Sequence, residues 1–297
     1  MTASAGTLTL RGVLPAIVTP FTKDGSAVDK KSLVNLVDFL LQGGIHGIVA
    51  CGSTGEATTL VDEEYVQVVQ VARERTAGKV PCVAGISVSS TNRAVQIARV
   101  IKELGCDAIL VATPPYNKPS QAGIIEHFKA IYAATGLPLI AYNVPGRSGV
   151  AMTSATLGTL SQQGLITSIK EASGSIDNVA DTMLAVKPEC QVLSGDDSLF
   201  LPMLAYGGRG VISVVGNAMP KEMVALYEAF EQGEVAEARR VQLQLLPKCR
   251  AAFAETNPVP IKTALALMKI IENDAVRLPL TPLSAATLER VRQEFAL

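Results

Sequence analysis

The sequence predicts an α/β fold, a (β/α)8 TIM barrel with a C-terminal helical extension, and three features carry that expectation. Eight short apolar runs are spaced along the first 220 residues. Amphipathic stretches with apolar residues three and four apart separate them, so strand and helix alternate in series. Beyond residue 220 the strand-like runs stop while helical periodicity continues, which places the barrel at 1–220 and a helical region at 221–297.

The expected strands are 13–17, 47–50, 82–85, 108–111, 139–142, 165–170, 191–194 and 210–213. All are brief, apolar and bounded by Gly, Pro or polar residues, as strands buried on both faces are. Helices are expected between them, among others at 31–41, 63–75, 92–104 and 123–134. A Rossmann-type open sheet shares this alternation, but no Gly-x-Gly-x-x-Gly follows the first run. The terminal helices are expected at 223–231, 235–253, 261–271 and 284–295, separated by Gly233, by Asn257-Pro258-Val259-Pro260 and by Leu278-Pro279-Leu280-Thr281-Pro282.

A chain of 297 residues with 48% hydrophobic content can bury one large barrel core. A formal net charge of -1 without a long basic cluster argues against nucleic acid or an anionic membrane as partner and favours small molecules. No apolar run is long enough to span a bilayer. Met1-Thr2-Ala3-Ser4-Ala5-Gly6 lacks the basic start and apolar stretch of a signal peptide, so a cytoplasmic protein is expected. Five scattered cysteines (Cys51, Cys82, Cys106, Cys190, Cys249) form no Cys-x-x-Cys pair and suggest neither a disulfide framework nor a zinc site.

In a parallel barrel the chemistry gathers at the C-terminal ends of the strands. The sixth run ends there on Lys170. A lysine at the tip of a buried strand loses hydration, which favours the neutral amine that attacks carbonyls. The duller alternative is a lysine tipping into solvent. After the second run comes Cys51-Gly52-Ser53-Thr54-Gly55-Glu56, where glycines allow close approach and a helix start would offer amides to a small carboxylate. An ordinary N-cap turn would look the same. Tyr142 ends the fifth run and Arg147 follows on its loop, a phenol able to move a proton and a guanidinium able to clamp a carboxylate. Taken singly, a core phenol and a solvated arginine are the favoured explanations. Ser194-Gly195-Asp196-Asp197 reads as a capped turn rather than a metal site, and His46 and His127 read as structural.

Gly52-Ser53-Thr54-Gly55-Glu56, Tyr142-Asn143-Val144-Pro145, Ile169-Lys170-Glu171-Ala172 and Gly210-Val211-Ile212-Ser213, in this order, resemble the pyruvate-dependent class I aldolases of the dihydrodipicolinate synthase and N-acetylneuraminate lyase superfamily. The resemblance runs from about Gly12 to Glu294. Tyr116 in Pro-Tyr-Asn, Arg147, and Asn257 to Lys262 with Leu278-Pro279-Leu280 point to its dihydrodipicolinate synthase branch.

That resemblance implies a lyase that condenses pyruvate with L-aspartate 4-semialdehyde in lysine and diaminopimelate biosynthesis. It implies that Lys170 forms the imine with pyruvate while Tyr142 relays protons. Ser53 and Thr54, beside Gly52, would hold the pyruvate carboxylate, with their hydroxyls in the relay. Tyr116 would complete that relay from a neighbouring subunit of a homotetramer built as a dimer of dimers. Arg147 would bind the aldehyde's carboxylate and the Ile212 carbonyl would line the site. No metal or organic cofactor is implied, because the imine itself is the electron sink. Pro115 departs from the family, which often has a second tyrosine there. Feedback-inhibited relatives bind L-lysine with an acidic residue, an asparagine and that tyrosine, where this chain has Arg93, Ser89 and Pro115, so weak inhibition or none is expected. Aldolases acting on sialic acid or 2-keto-3-deoxy sugar acids share the lysine and tyrosine but usually lack an arginine at position 147. A silent keto-acid sensor would have no need of Lys170, Tyr142 and Tyr116 together.

Overall fold

The computed structural model describes residues 8–297, so the reading of Met1 to Gly6 lies outside the described residues. The first half runs β1 (Gly12–Pro15), α1 (Lys30–Gln42), β2 (Ile48–Ala50), α2 (Asp62–Thr76), β3 (Cys82–Ile86), α3 (Thr91–Glu103), β4 (Ala108–Ala112) and α4 (Gln121–Thr135). Next come β5 (Leu139–Asn143), α5 (Pro145–Ser148), α6 (Ser154–Gln162), β6 (Ser168–Glu171), α7 (Ile176–Ala185), β7 (Gln191–Ser194), α8 (Phe200–Ala205) and β8 (Gly210–Ser213). Four helices finish the chain, α9 (Pro220–Glu231), α10 (Val235–Ala252), α11 (Val259–Leu267) and α12 (Ala285–Phe295). All eight expected strands are present, paired in parallel with β1 beside β8 and each strand from β3 to β8 beside its predecessor. An Ala16 to Val49 bridge brings β1 to β2 and closes the ring of a TIM barrel.

Local chemistry explains where the helices begin. Asp29, Ser90, Ser120, Thr153, Ser175 and Ser284 each accept a backbone N–H from the first turn that follows, satisfying a donor the helix cannot. On α1, Leu33, Leu36, Val37 and Leu40 form the buried stripe that period 3.6 requires. The sixth strand starts later than the apolar run at 165–170 suggests. Leu165 and Ile166 are buried in the connection, and Leu165 N donates to Leu160 O as the chain leaves α6. The expected helix at 261–271 ends at Leu267, because Lys269 turns left-handed at φ 59.

Alternate strand residues divide the core in two. Leu14, Val49, Val83, Leu110, Ile140 and Ile212 pack together inside the barrel, while the intervening residues meet the helices outside. At the β1–β8 seam, a Cβ on Gly210 would collide with the backbone of Gly12, so only glycine permits this approach. The helix α9 packs against β1 and α10, and α10 packs against α12. The loop between α10 and α11 thereby reaches the C-terminal rim of the barrel, where Asn257 meets the β2 loop.

Candidate active site

Lys170 is the third residue of β6, paired in register with Tyr142 on β5, so both side chains leave the sheet on its inner side. The lysine is buried, and its Nζ lies 4.3 Å from the centre of the Tyr142 ring. Its chain neighbour Glu171 faces the other way, accepting from Asn143 Nδ2 at 2.9 Å and Ser173 N at 2.7 Å. Among the described residues no carboxylate pairs with Lys170. Gly195 makes room for it, since a Cβ there would lie 3.1 Å from Lys170 Cε and 2.6 Å from the Ala172 methyl.

The amine opens into a cavity of about 380 Å³ whose walls include Thr54, Tyr142, Arg147, Asp196 and Asn257. A neighbouring cavity of about 230 Å³ is lined by Gly52, Ser53, Glu56 and Pro115, and Val144, Arg147 and Asn257 border both. Cys249, on the wall near Lys170, is no rival nucleophile. Burial pushes its thiol pKa well up, nearby Asp197 adds to this, and the protonated form results.

The loop after β2 differs from the expected helix start. Gly55 N and Ala57 N both donate to Gly52 O, and a single 3-10 turn at Ala57–Thr59 follows. Helix formation fails because Cys51 and Glu56 are both left-handed, at φ 53 and 51. Among the described residues the amides of Ser53 and Thr54 donate to nothing, which leaves two N–H groups and two hydroxyls for an anion. Thr54 is buried, and its Oγ1 meets Asn257 Nδ2 at 3.0 Å.

Arg147 sits on α5, a single turn with Pro145 at its first position, and donates to Asn257 O at 3.2 Å. Asn143, at the end of β5, holds the chain beyond that turn through Met152 N at 3.0 Å. Ile212 lies on β8 opposite Leu14 with its side chain in the barrel interior, and Val214 forms the cavity wall. Tyr116 is not brought to this site within its own chain, for it is 91% exposed and left-handed at φ 69. Asp196 caps the next turn, accepting from Ser198 N and Oγ at 3.1 and 2.8 Å. The buried Asp197 accepts from Val214 N and Val215 N at 3.0 and 2.9 Å and so pins the exit of β8. Among the described residues no group of three or more His, Cys, Asp and Glu could hold a metal. His46 accepts from Val13 N and His127 meets Thr91, both away from the cavities.

The family model described as the dihydrodipicolinate synthetase family matches residues 9–296, which take in the whole barrel with Lys170 and Tyr142. The chain belongs to that family. The 4-hydroxy-tetrahydrodipicolinate synthase of Pelobacter propionicus is 45% identical over 290 residues, covering 97% of this chain and 99% of that protein. The dihydrodipicolinate synthase structure from Thermotoga maritima superposes with a TM-score of 0.94 at 38% identity, covering 96% and 97% of the two chains. The chloride-inhibited dihydrodipicolinate synthase from Acinetobacter baumannii, solved with pyruvate, gives 0.92 at 38% identity over 97% and 99%. Dihydrodipicolinate synthetase membership leaves the C-terminal contributions to be read from the geometry. Asn257, touching both Thr54 and Arg147, had no role assigned from sequence, because its contact with Thr54 spans 203 positions and no local pattern signals it.

Proposed function

We propose that Lys170 is the Schiff-base residue of a 4-hydroxy-tetrahydrodipicolinate synthase, joining pyruvate to L-aspartate 4-semialdehyde. The observation that carries this is the buried Lys170 amine set over the Tyr142 ring in a cavity shared with Thr54 and Arg147. Lys170 Nζ attacks the pyruvate ketone and water leaves, giving an imine. Loss of a methyl proton gives the enamine, whose terminal carbon attacks the aldehyde. Tyr142 moves protons at these steps. The amine of the second substrate then displaces Lys170 by transimination as the ring closes. Ser53 and Thr54 hold the pyruvate carboxylate with their free amides and hydroxyls. Asn257 Nδ2 occupies a lone pair of Thr54 Oγ1, which leaves that hydroxyl to donate to the substrate. Incubating the protein with pyruvate and either L-aspartate 4-semialdehyde or N-acetylmannosamine tests the choice of aldehyde. Turnover with the sugar alone would refute it.

Arg147 binds the aldehyde's carboxylate, and Asn257 O steadies its guanidinium. Charge-assisted bonds contribute about 1.5–3 kcal/mol, and the lower end suits an exposed arginine. Arg147→Ala therefore raises the KM for the aldehyde by about tenfold while pyruvate imine formation persists. Equal loss for both substrates would mark Arg147 as structural.

Tyr116, projecting from the rim, reaches the site of a second copy in a homotetramer. Sedimentation showing a fully active monomer would contradict this. Five free cysteines suit the reducing cytoplasm to which we assign the protein. No helix among the described residues is long and apolar enough to cross a membrane.

L-lysine inhibits weakly. A cavity of about 320 Å³ is lined by Asp62, Tyr65, Arg93 and Gln96, and the Arg93 guanidinium pairs with Asp62 across it. That arrangement occupies the acidic group and presents like charge to a cationic ligand. Steady-state rates should change less than about twofold with millimolar L-lysine, since like-charge contact opposes binding. Strong inhibition at submillimolar concentration would overturn the charge argument.

A further inference from the structure

Behind the loop that carries Ser53 and Thr54 lies an ion pair with no part in the chemistry above. The side chains of Lys262 on α11 and Glu56 are 0% and 1% exposed, and Lys262 Nζ donates to Glu56 Oε1 at 2.7 Å and to Ala275 O at 2.6 Å. Lys262 also sits 4.3 Å from the centre of the Phe21 ring, and the Arg277 guanidinium lies 4.2 Å from the same ring. Arg277 N donates to Glu56 Oε2 at 3.2 Å, its guanidinium grips Glu64 through two bonds, and it also donates to Thr59 O at 3.0 Å. Lys262 lines neither active-site cavity, so it does not compete with Lys170 for substrate.

A sealed ion pair adds little net stability over apolar residues of the same volume, because desolvating both charges offsets their attraction. Burial lowers the Lys262 pKa against the opposing pull of Glu56, a sign of that cost. The backbone around Glu56 shows what the pair accomplishes. Glu56 is a non-glycine residue in the left-handed region, a conformation that persists where its surroundings over-determine it. Its N–H closes on Ser53 O at 3.2 Å, and its carbonyl accepts from Thr59 N at 2.9 Å. The side-chain anchor at Glu56 thus sets the turn that aims the Ser53 and Thr54 amides.

We propose that Glu56 and Lys262 are positioning residues for the pyruvate pocket, fixing the β2 loop so that its amides and hydroxyls meet the carboxylate of a 2-oxo acid. This rests on the assignment of that loop to pyruvate. Arg147 bonds to neither Glu56 nor Lys262 and reaches the loop through Asn257, so the aldehyde side responds less to the pair than the pyruvate side does.

The test uses the full-length protein with Glu56→Gln/Lys262→Met, which removes both charges together, and with Glu56→Gln alone, which keeps an amide against Lys262. In the double variant the KM for pyruvate rises about tenfold, the size of one lost hydrogen-bonded constraint, while the KM for the aldehyde stays within about twofold. The single variant moves the pyruvate KM in the same direction by roughly threefold and provides the readout if the double variant fails to fold. A lower melting temperature with an unchanged pyruvate KM would overturn the proposal, as would equal changes in both KM values. Failure of the wild-type protein to form a pyruvate adduct would instead refute the assignment of the pocket on which the proposal rests.

Discussion

Lys170→Ala stops the condensation, with kcat falling by at least about 10⁴-fold, the scale seen when an enzyme's nucleophile is removed. No substitute is within reach, for Lys170 is the one lysine lining either cavity among the described residues, and Cys249 is held as a thiol by burial. The fold should survive, because Lys170 has no ion-pair partner among the described residues to leave behind. Steady-state kinetics beside circular dichroism check both halves. A folded variant that retains more than a few hundredths of the activity would show that the amine of Lys170 is not the covalent catalyst.

The second large effect is on stability. Lys262→Met leaves the sealed Glu56 carboxylate with the Arg277 amide in place of a cation, and an uncompensated buried charge of this kind costs about 3–5 kcal/mol. In a chain of this size that lowers the melting midpoint by roughly 5–8 °C. Adding Glu56→Gln restores part of the loss, because the stranded charge goes with it. A double-mutant cycle by thermal melting measures this coupling. Additive losses in the two single variants would show that the two side chains do not act as a pair.

The barrel was legible because its strands are buried on both faces and read as short apolar runs between Gly and Pro, and Lys170 stood out at the end of one of them. The boundary errors have local causes. Leu165 and Ile166 are apolar because they pack beneath the rim, although they precede the paired part of β6. Ser53 and Thr54 were expected at a helix start offering its amides to an anion, yet left-handed Cys51 and Glu56 make their segment a loop with a single 3-10 turn. Neither residue is glycine, so nothing in the sequence marked that conformation. The contributions of Asn257, Lys262 and Arg277 were hidden for a different reason. Their partners Thr54, Glu56 and Glu64 are more than 200 positions away, joined by the closure of the barrel and the return of its helical extension.

In the proposed reaction Lys170 itself becomes bonded to pyruvate. Incubating the wild-type protein with pyruvate and borohydride, then locating the modified residue by peptide mass spectrometry, tests it directly. Reduction of the imine leaves one stable adduct on Lys170, and Lys170→Ala leaves none. An adduct on a different lysine, or its absence from the wild-type protein, would contradict the assignment.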